Sequence, residues 1–331
     1  DVLFSERKSL DIEIDLKKVN FDLLVEITSG HLMLPSLYVN LKNKGLLDLI
    51  PSDLKIYLKQ IFIINKNRNK ELLKEIDEVS KILIKNNINH VFLKGSSYIS
   101  EDIYFDFGER MTGDIDILIS KKDFDKSIKL LKEINYRSSK PLTSYAKHYG
   151  RLINDEKIFA IELHRFLLSN KSKKLLNETI ILNNKILNNK EIFILNYLDQ
   201  MLYNIYNYQV NDYGCLKLSY SFRSFYDTYL INKKLSHNQK YNHDKYLKNY
   251  FMIASILNIP VLKFLNIDFK NKNIYRFNMK HSSKAYECLD NLMCDLLIKS
   301  SLRRKQIIEI FINISFAKYA VRRLLVLYKN H

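Results

Sequence analysis

Two acidic stretches carry residue types and spacings that could do chemistry. In Asp114-Ile115-Asp116-Ile117-Leu118-Ile119 the carboxylates stand at i and i+2, with isoleucines between them. Side chains alternate along a β-strand, so Asp114 and Asp116 share one face while Ile115 and Ile117 turn toward a core. Carboxylates crowded on one face raise each other's pKa unless a cation sits between them. The pair therefore predicts a divalent ion, and all-oxygen ligands favour Mg²⁺, with Mn²⁺ as the alternative. The second stretch runs Ile158-Phe159-Ala160-Ile161-Glu162-Leu163-His164-Arg165-Phe166. Here Ile161 and Leu163 take one face, Glu162 and His164 the other. A charged glutamate inside an apolar strand is costly unless paired or metal-bound. If the two strands are neighbours, Glu162 completes a cluster of three carboxylates.

Upstream, the apolar run Ile88 to Leu93 ends in Lys94-Gly95-Ser96-Ser97. A glycine at a strand end that opens a helix lets backbone N–H groups approach a phosphate closely. Lys94 and Arg110 would then neutralise triphosphate or pyrophosphate oxygens. Each has a plainer alternative: Lys94 as a solvated strand-end lysine, Arg110 as a salt-bridge partner of Asp114. Together with three carboxylates, such a loop suits two Mg²⁺ ions clamping a nucleoside triphosphate (NTP).

The elements that must position these groups can be read from periodicity. Residues 16–86 read as helices: one from Ser52 to Asn65 after Pro51, another of about 71–86 with Leu72, Ile76, Val79 and Leu83 on one stripe. A helix over roughly 97–106 follows the glycine, and Phe124, Ile128, Leu131 and Ile134 mark another after the Asp114 strand. Two β-like pieces, about 147–153 and 157–166, are joined by the turn Asn154-Asp155-Glu156-Lys157. Beyond Leu168 only helical periodicity is visible. The expected fold is α+β: a small mixed sheet over residues 87–168, flanked by an N-terminal helical region (1–86) and a C-terminal helical domain (169–331).

Composition narrows the class. Apolar residues make up 47% and charged residues 27%, which is globular and not disordered. Lys and Arg exceed Asp and Glu by 53 − 36 = 17, a charge that attracts nucleotides, RNA or anionic surfaces, although lysine-rich coding bias gives the same excess. The denser basic stretches are Lys171 to Lys174, Arg303-Arg304-Lys305 and Arg322-Arg323. Cys215, Cys288 and Cys294 form no metal-type spacing and predict reduced, mostly buried thiols in a cytoplasmic protein. The apolar stretch from Ile307 to Tyr328 carries too many charges to span a membrane.

Leu-Lys-Gly-Ser, then Arg110, then Asp-Ile-Asp, then Ile-Glu-Leu-His resembles the nucleotidyltransferase superfamily with a DNA polymerase β-like core. More narrowly it resembles a bacterial family of uncharacterised nucleotidyltransferases, over about residues 20–230. The resemblance implies metal binding by Asp114, Asp116 and Glu162 and nucleotide contact by Gly95 and Ser96. It also implies transfer of a nucleoside monophosphate from an NTP, with release of pyrophosphate. Two departures stand out: the third acid is Glu where many members carry Asp, and Arg165 follows the Leu-His pair where an aromatic is common. The acceptor implied is a hydroxyl or phosphate on a small molecule or glycan precursor. A tRNA end or a protein side chain are the alternatives, and a non-catalytic nucleotide-binding module is the rival from another class.

Around this core, His164 is expected to orient a neighbouring side chain by hydrogen bonding, and His148 to be structural. Arg223 and Asp227, at i and i+4, are expected to pair with each other at the surface or between domains. The run Tyr197, Tyr203, Tyr206, Tyr208, Tyr213 is expected to pack helices, with base stacking as the alternative.

Overall fold

The computed structural model describes residues 2–4, 18–138, 148–235, 244–260 and 271–312. Arg322-Arg323 and most of the apolar stretch 307–328 lie outside these. The fold is α+β, a seven-stranded mixed sheet between helical layers.

Three helices lead in: α1 (Phe21–Gly30), α2 (Leu34–Asn43) and α3 (Ser52–Lys85). The last is one continuous rod of 34 residues where periodicity suggested two separate helices. The polar run between them is explained by what it binds. Asn65 and Asn69 are buried, and their amides donate to the carbonyls of Phe107, Gly108 and Arg110. Side-chain amides thus replace the apolar stripe wherever the helix faces a loop and not a hydrophobic layer.

The sheet follows. Its strands are β1 (His90–Phe92), β2 (Asp114–Ile119), β3 (Arg137–Ser138), β4 (Leu152–Ile153), β5 (Ala160–His164), β6 (Ile186–Leu187) and β7 (Phe193–Ile194), in the spatial order β3-β4-β5-β2-β1-β7-β6. Between its first three strands lie α4 (Lys94–Ser100), which joins β1 to β2, and α5 (Phe124–Glu133), which follows β2. The central strands β1 and β2 are antiparallel, whereas β2 and β5 run parallel. Strands β6 and β7 lie within the stretch expected to be wholly helical. Each is two residues long, and both residues of β6 are exposed, so neither leaves a periodic signature.

One face of the sheet buries Ile115, Ile117, Ile119, Ile161 and Leu163 against Leu72, Ile76, Val79 and Leu83 of α3 and against Phe124, Ile128 and Leu131 of α5. This is the alternation expected of strands with one apolar face. The C-terminal helices α6 (Glu178–Asn183), α7 (Tyr197–Tyr206), α8 (Gly214–Lys217), α9 (Phe222–Asn232) and α10 (Lys245–Ile256) build a second core. It is filled by Tyr98, Met201, Tyr203, Phe225, Tyr226 and Tyr250 among others. Of the tyrosine run, Tyr203 and Tyr206 are buried in it, while Tyr197, Tyr208 and Tyr213 are partly exposed. Helices α11 (Asn271–Ser282) and α12 (Lys284–Ile312) close the described chain. No helix among the described residues is long and apolar enough to cross a membrane. Of the cysteines only Cys294 is buried; Cys215 is half-buried and Cys288 exposed, a correction to the expectation of mostly buried thiols.

Candidate metal and nucleotide site

Strands β2 and β5 set the site by their register. Asp114 lies opposite Ala160, Asp116 opposite Glu162 and Leu118 opposite His164. Residues opposite each other in a ladder project to the same face, so Glu162 stands beside Asp116 across about 5 Å of sheet. The apolar residues between them anchor both strands from the other side.

One donor atom each from Asp116, Glu162 and His164 lies within 4.8 Å of the others. The convergent set therefore contains an imidazole, and His164 sits in the cluster itself instead of behind it. Asp116 is buried, with Oδ1 held by two groups: Lys94 Nζ at 2.8 Å and His164 Nε2 at 2.6 Å. Burial alone would raise its pKa, but Lys94 and His164 outweigh that and hold the carboxyl well below the usual range. Asp114 shares the face. Burial first, then the charges of Asp116 and Glu162, push its pKa up to about 6; the rise expected of clustered acids falls on Asp114, while Lys94 and His164 spare Asp116. Glu162 is half-buried, with His148 Nε2 at 3.7 Å and Arg151 Nε at 3.9 Å.

The Lys-Gly-Ser stretch is at the strand end, but the helix begins one turn earlier than the sequence suggested. Lys94 to Ser97 form the first turn of α4, which stops at Ser100 instead of running to 106. Lys94 takes a left-handed backbone conformation (φ +48°), unusual for a residue with a Cβ. Gly95 is required by close approach: a Cβ there would lie 2.0 Å from Thr112 Oγ1. Ser96 and Ser97 are buried, and neither hydroxyl has a hydrogen-bond partner among the described residues.

Arg110 is engaged elsewhere. Its guanidinium clasps the Asp227 carboxylate through Nε and Nη2 at 2.9–3.2 Å, and Tyr104 Oη donates to the same carboxylate. Asp227 thus pairs with Arg110 and not with Arg223, one turn away on α9. The same loop carries Glu109, fully buried, which accepts from Tyr226 Oη at 3.0 Å and from the Asp106 N–H. Glu109 and Asn65/Asn69 gave no sequence signal, because single polar residues in a loop or helix look solvated until the fold encloses them.

A conserved-sequence profile described as an uncharacterised nucleotidyltransferase matches residues 17–247, about 70% of the chain. The chain belongs to that uncharacterised nucleotidyltransferase family. The match spans all seven strands and reaches into α10, so it contains every residue of the site. Among curated proteins, none matches the sequence.

A divalent cation fits this cluster by its chemistry. The donors are two carboxylates and an imidazole on one face of adjacent strands, and Asp116 is already satisfied by a cationic ammonium. A mixed N/O set suits Mg²⁺ less strictly than an all-oxygen one and accommodates Mn²⁺ well.

Proposed function

We propose that this protein is a metal-dependent nucleotidyltransferase that moves a nucleoside monophosphate from an NTP to a hydroxyl or phosphate acceptor. The observation that carries this reading is the convergence of Asp116, Glu162 and His164 within a chain of nucleotidyltransferase family. In the reaction an acceptor oxygen attacks the α-phosphorus, the bond from that phosphorus to the α–β bridging oxygen breaks, and pyrophosphate leaves with the electron pair. The acceptor's proton must go to a base.

Asp116, Glu162 and His164 would hold the cation, with Asp114 on the same face contributing a further carboxylate. Mg²⁺ or Mn²⁺ there would offset the triphosphate's charge and favour departure of pyrophosphate. Glu162, the least buried of the three, aligns the acceptor oxygen or takes its proton. Lys94 supplies a cation for phosphate oxygens, and Gly95 keeps the backbone of that turn close to the loop bearing Thr112. A small molecule or glycan precursor is the acceptor favoured by this reading. The net charge of +17 supports a second acceptor class, the end of a tRNA.

The test is incubation of the protein with each α-labelled NTP and a cell lysate, followed by sorting of label into small-molecule, RNA and protein fractions. Wild type labels one fraction, and Asp116→Asn abolishes the label. Labelling by the variant at the wild-type rate overturns the mechanism. Transfer to RNA is expected to fall steeply between low and moderate salt, whereas a small acceptor shows little salt dependence.

A further inference from the structure

Lys94 stands out among the site's groups, because it holds the carboxylate that a metal ion would need. Its ammonium is 2.8 Å from Asp116 Oδ1, and Asp116 is only 4% exposed along its side chain. The lysine side chain itself is 26% exposed, so it has a route out of the contact that Asp116 lacks. Its backbone sits in the left-handed region, where a side-chain-bearing residue is strained, immediately before a glycine whose position next to Thr112 leaves no room for a Cβ. Strain of this kind persists where surrounding structure imposes it, and functional turns are where it concentrates.

An ammonium and a divalent ion on Oδ1 would repel each other in a poorly screened environment. Oδ1 also receives His164 Nε2, and His164 is itself one of the three groups that could hold the ion, so loading a metal there would disturb the contacts that now satisfy Asp116. An arriving ion would compete for both contacts: His164 could turn its Nε2 from the Asp116 carboxylate to the ion, whereas Lys94 has no such option. Its ammonium must find another anion, and the triphosphate brought to the same turn is the anion at hand.

We propose that Lys94 is an exchangeable counter-ion: it neutralises Asp116 when no metal is bound and, displaced by the metal, transfers to the phosphates of the incoming nucleotide. This rests on the nucleotidyltransferase reading above and makes Lys94 a positioning residue that couples metal loading to phosphate grip. The consequence is opposite signs for two affinities. Removing the ammonium relieves competition for Asp116 and strengthens metal binding, while it removes a phosphate contact and weakens triphosphate binding.

The experiment uses the full chain, Mn²⁺ alone as the first probe, and inorganic tripolyphosphate as the second. Mn²⁺ affinity is read from loss of the free-ion paramagnetic resonance signal, and tripolyphosphate affinity by calorimetry on the Mn²⁺-loaded protein. Lys94→Met is expected to bind Mn²⁺ roughly tenfold more tightly than wild type and tripolyphosphate roughly tenfold more weakly, about the effect of one poorly screened charge. Lys94→Arg, which keeps the cation, binds Mn²⁺ no more tightly than wild type; this arm decides the matter if the Met variant does not fold. A merely structural lysine gives a different pattern, with both affinities falling together in Lys94→Met. That result, unchanged Mn²⁺ binding in Lys94→Met, or tighter Mn²⁺ binding in Lys94→Arg, overturns the exchange. Asp116→Asn separates this failure from failure of the site: if it binds Mn²⁺ as wild type does, the metal reading itself falls.

Discussion

Replacing Asp227 with Leu tests what Arg110 is for. The side chains of Arg110 and Asp227 are 10% and 1% exposed, and three N–H···O contacts join them. Removing one partner of such a pair leaves a buried charge and costs about 3–5 kcal/mol. The neighbourhood makes the two halves of the pair unequal. Arg223, whose own pKa is pushed down to about 10 chiefly by Arg110 and then by burial, is close enough to feel both members. Asp227→Leu leaves two guanidiniums facing each other and Tyr104 without its acceptor, so its cost belongs at the upper end, about 4–5 kcal/mol. Arg110→Met leaves Asp227 with Tyr104 and with Arg223 at hand to compensate, and about 2–3 kcal/mol is expected. The double variant recovers the charge penalty, because an apolar pair of similar volume needs no counter-charge, and falls short of wild type by about 1–3 kcal/mol for Tyr104, which still lacks its acceptor. Urea unfolding followed by circular dichroism and tyrosine fluorescence reads all three. If Asp227→Leu costs less than Arg110→Met, the reasoning is refuted. If Arg110→Met unfolds like wild type while losing triphosphate affinity, Arg110 is a phosphate ligand and not a clamp.

Glu109 predicts a pH dependence. Burial, against the opposing hydrogen bonds from the Asp106 N–H and Tyr226, pushes its pKa up to about 7 from an ordinary 4.5. A raised folded-state pKa gives stability that is fully present below 4.5 and lost as pH rises through 7, a change of roughly 3 kcal/mol. Unfolding free energies of wild type and Glu109→Gln, measured from pH 4.5 to 8, should therefore diverge by that order, wild type losing ground on the alkaline side; parallel curves would disprove it. Gly95→Ala drives a methyl into Thr112 Oγ1 and is expected to destabilise by about 1–3 kcal/mol. Adding Thr112→Ala should recover most of that in a thermal melt, since the Thr112 hydroxyl has no partner to lose among the described residues.

How much of this was legible in the sequence varied with the kind of signal. Strands β2 and β5 were legible because period-2 alternation of polarity survives where one face is apolar and the other carries the site: Ile115, Ile117, Ile161 and Leu163 against Asp116, Glu162 and His164, although both faces are largely buried. The Lys-Gly-Ser turn was legible from its glycine, though not the glycine's partner, Thr112, since contact across 17 residues has no local trace. The helix α3 was seen in halves because Asn65 to Lys70 is polar throughout, and only the fold reveals that two of those asparagines face inward. The membership of His164 in the donor cluster needed register: in the sequence it shares Glu162's face, but which atoms of β2 it meets depends on how the parallel strands are staggered. Asp227 looked like a helix-surface partner of Arg223 because i,i+4 spacing is visible and a loop arginine 117 residues away is not.

The parallel ladder between β2 and β5 has a consequence for how the chain tolerates change. Asp116 faces Glu162 because of hydrogen bonds between two short strands, and the distance between the acids along the chain plays no part in it. Lengthening a loop of the connection between the two strands would leave the register untouched, whereas deleting a single residue inside either strand would swing one acid into the layer now occupied by isoleucines. Relatives of this protein can therefore differ freely in the spacing of their acidic motifs and still build the same centre, and a search for them by fixed spacing would pass over its own kin.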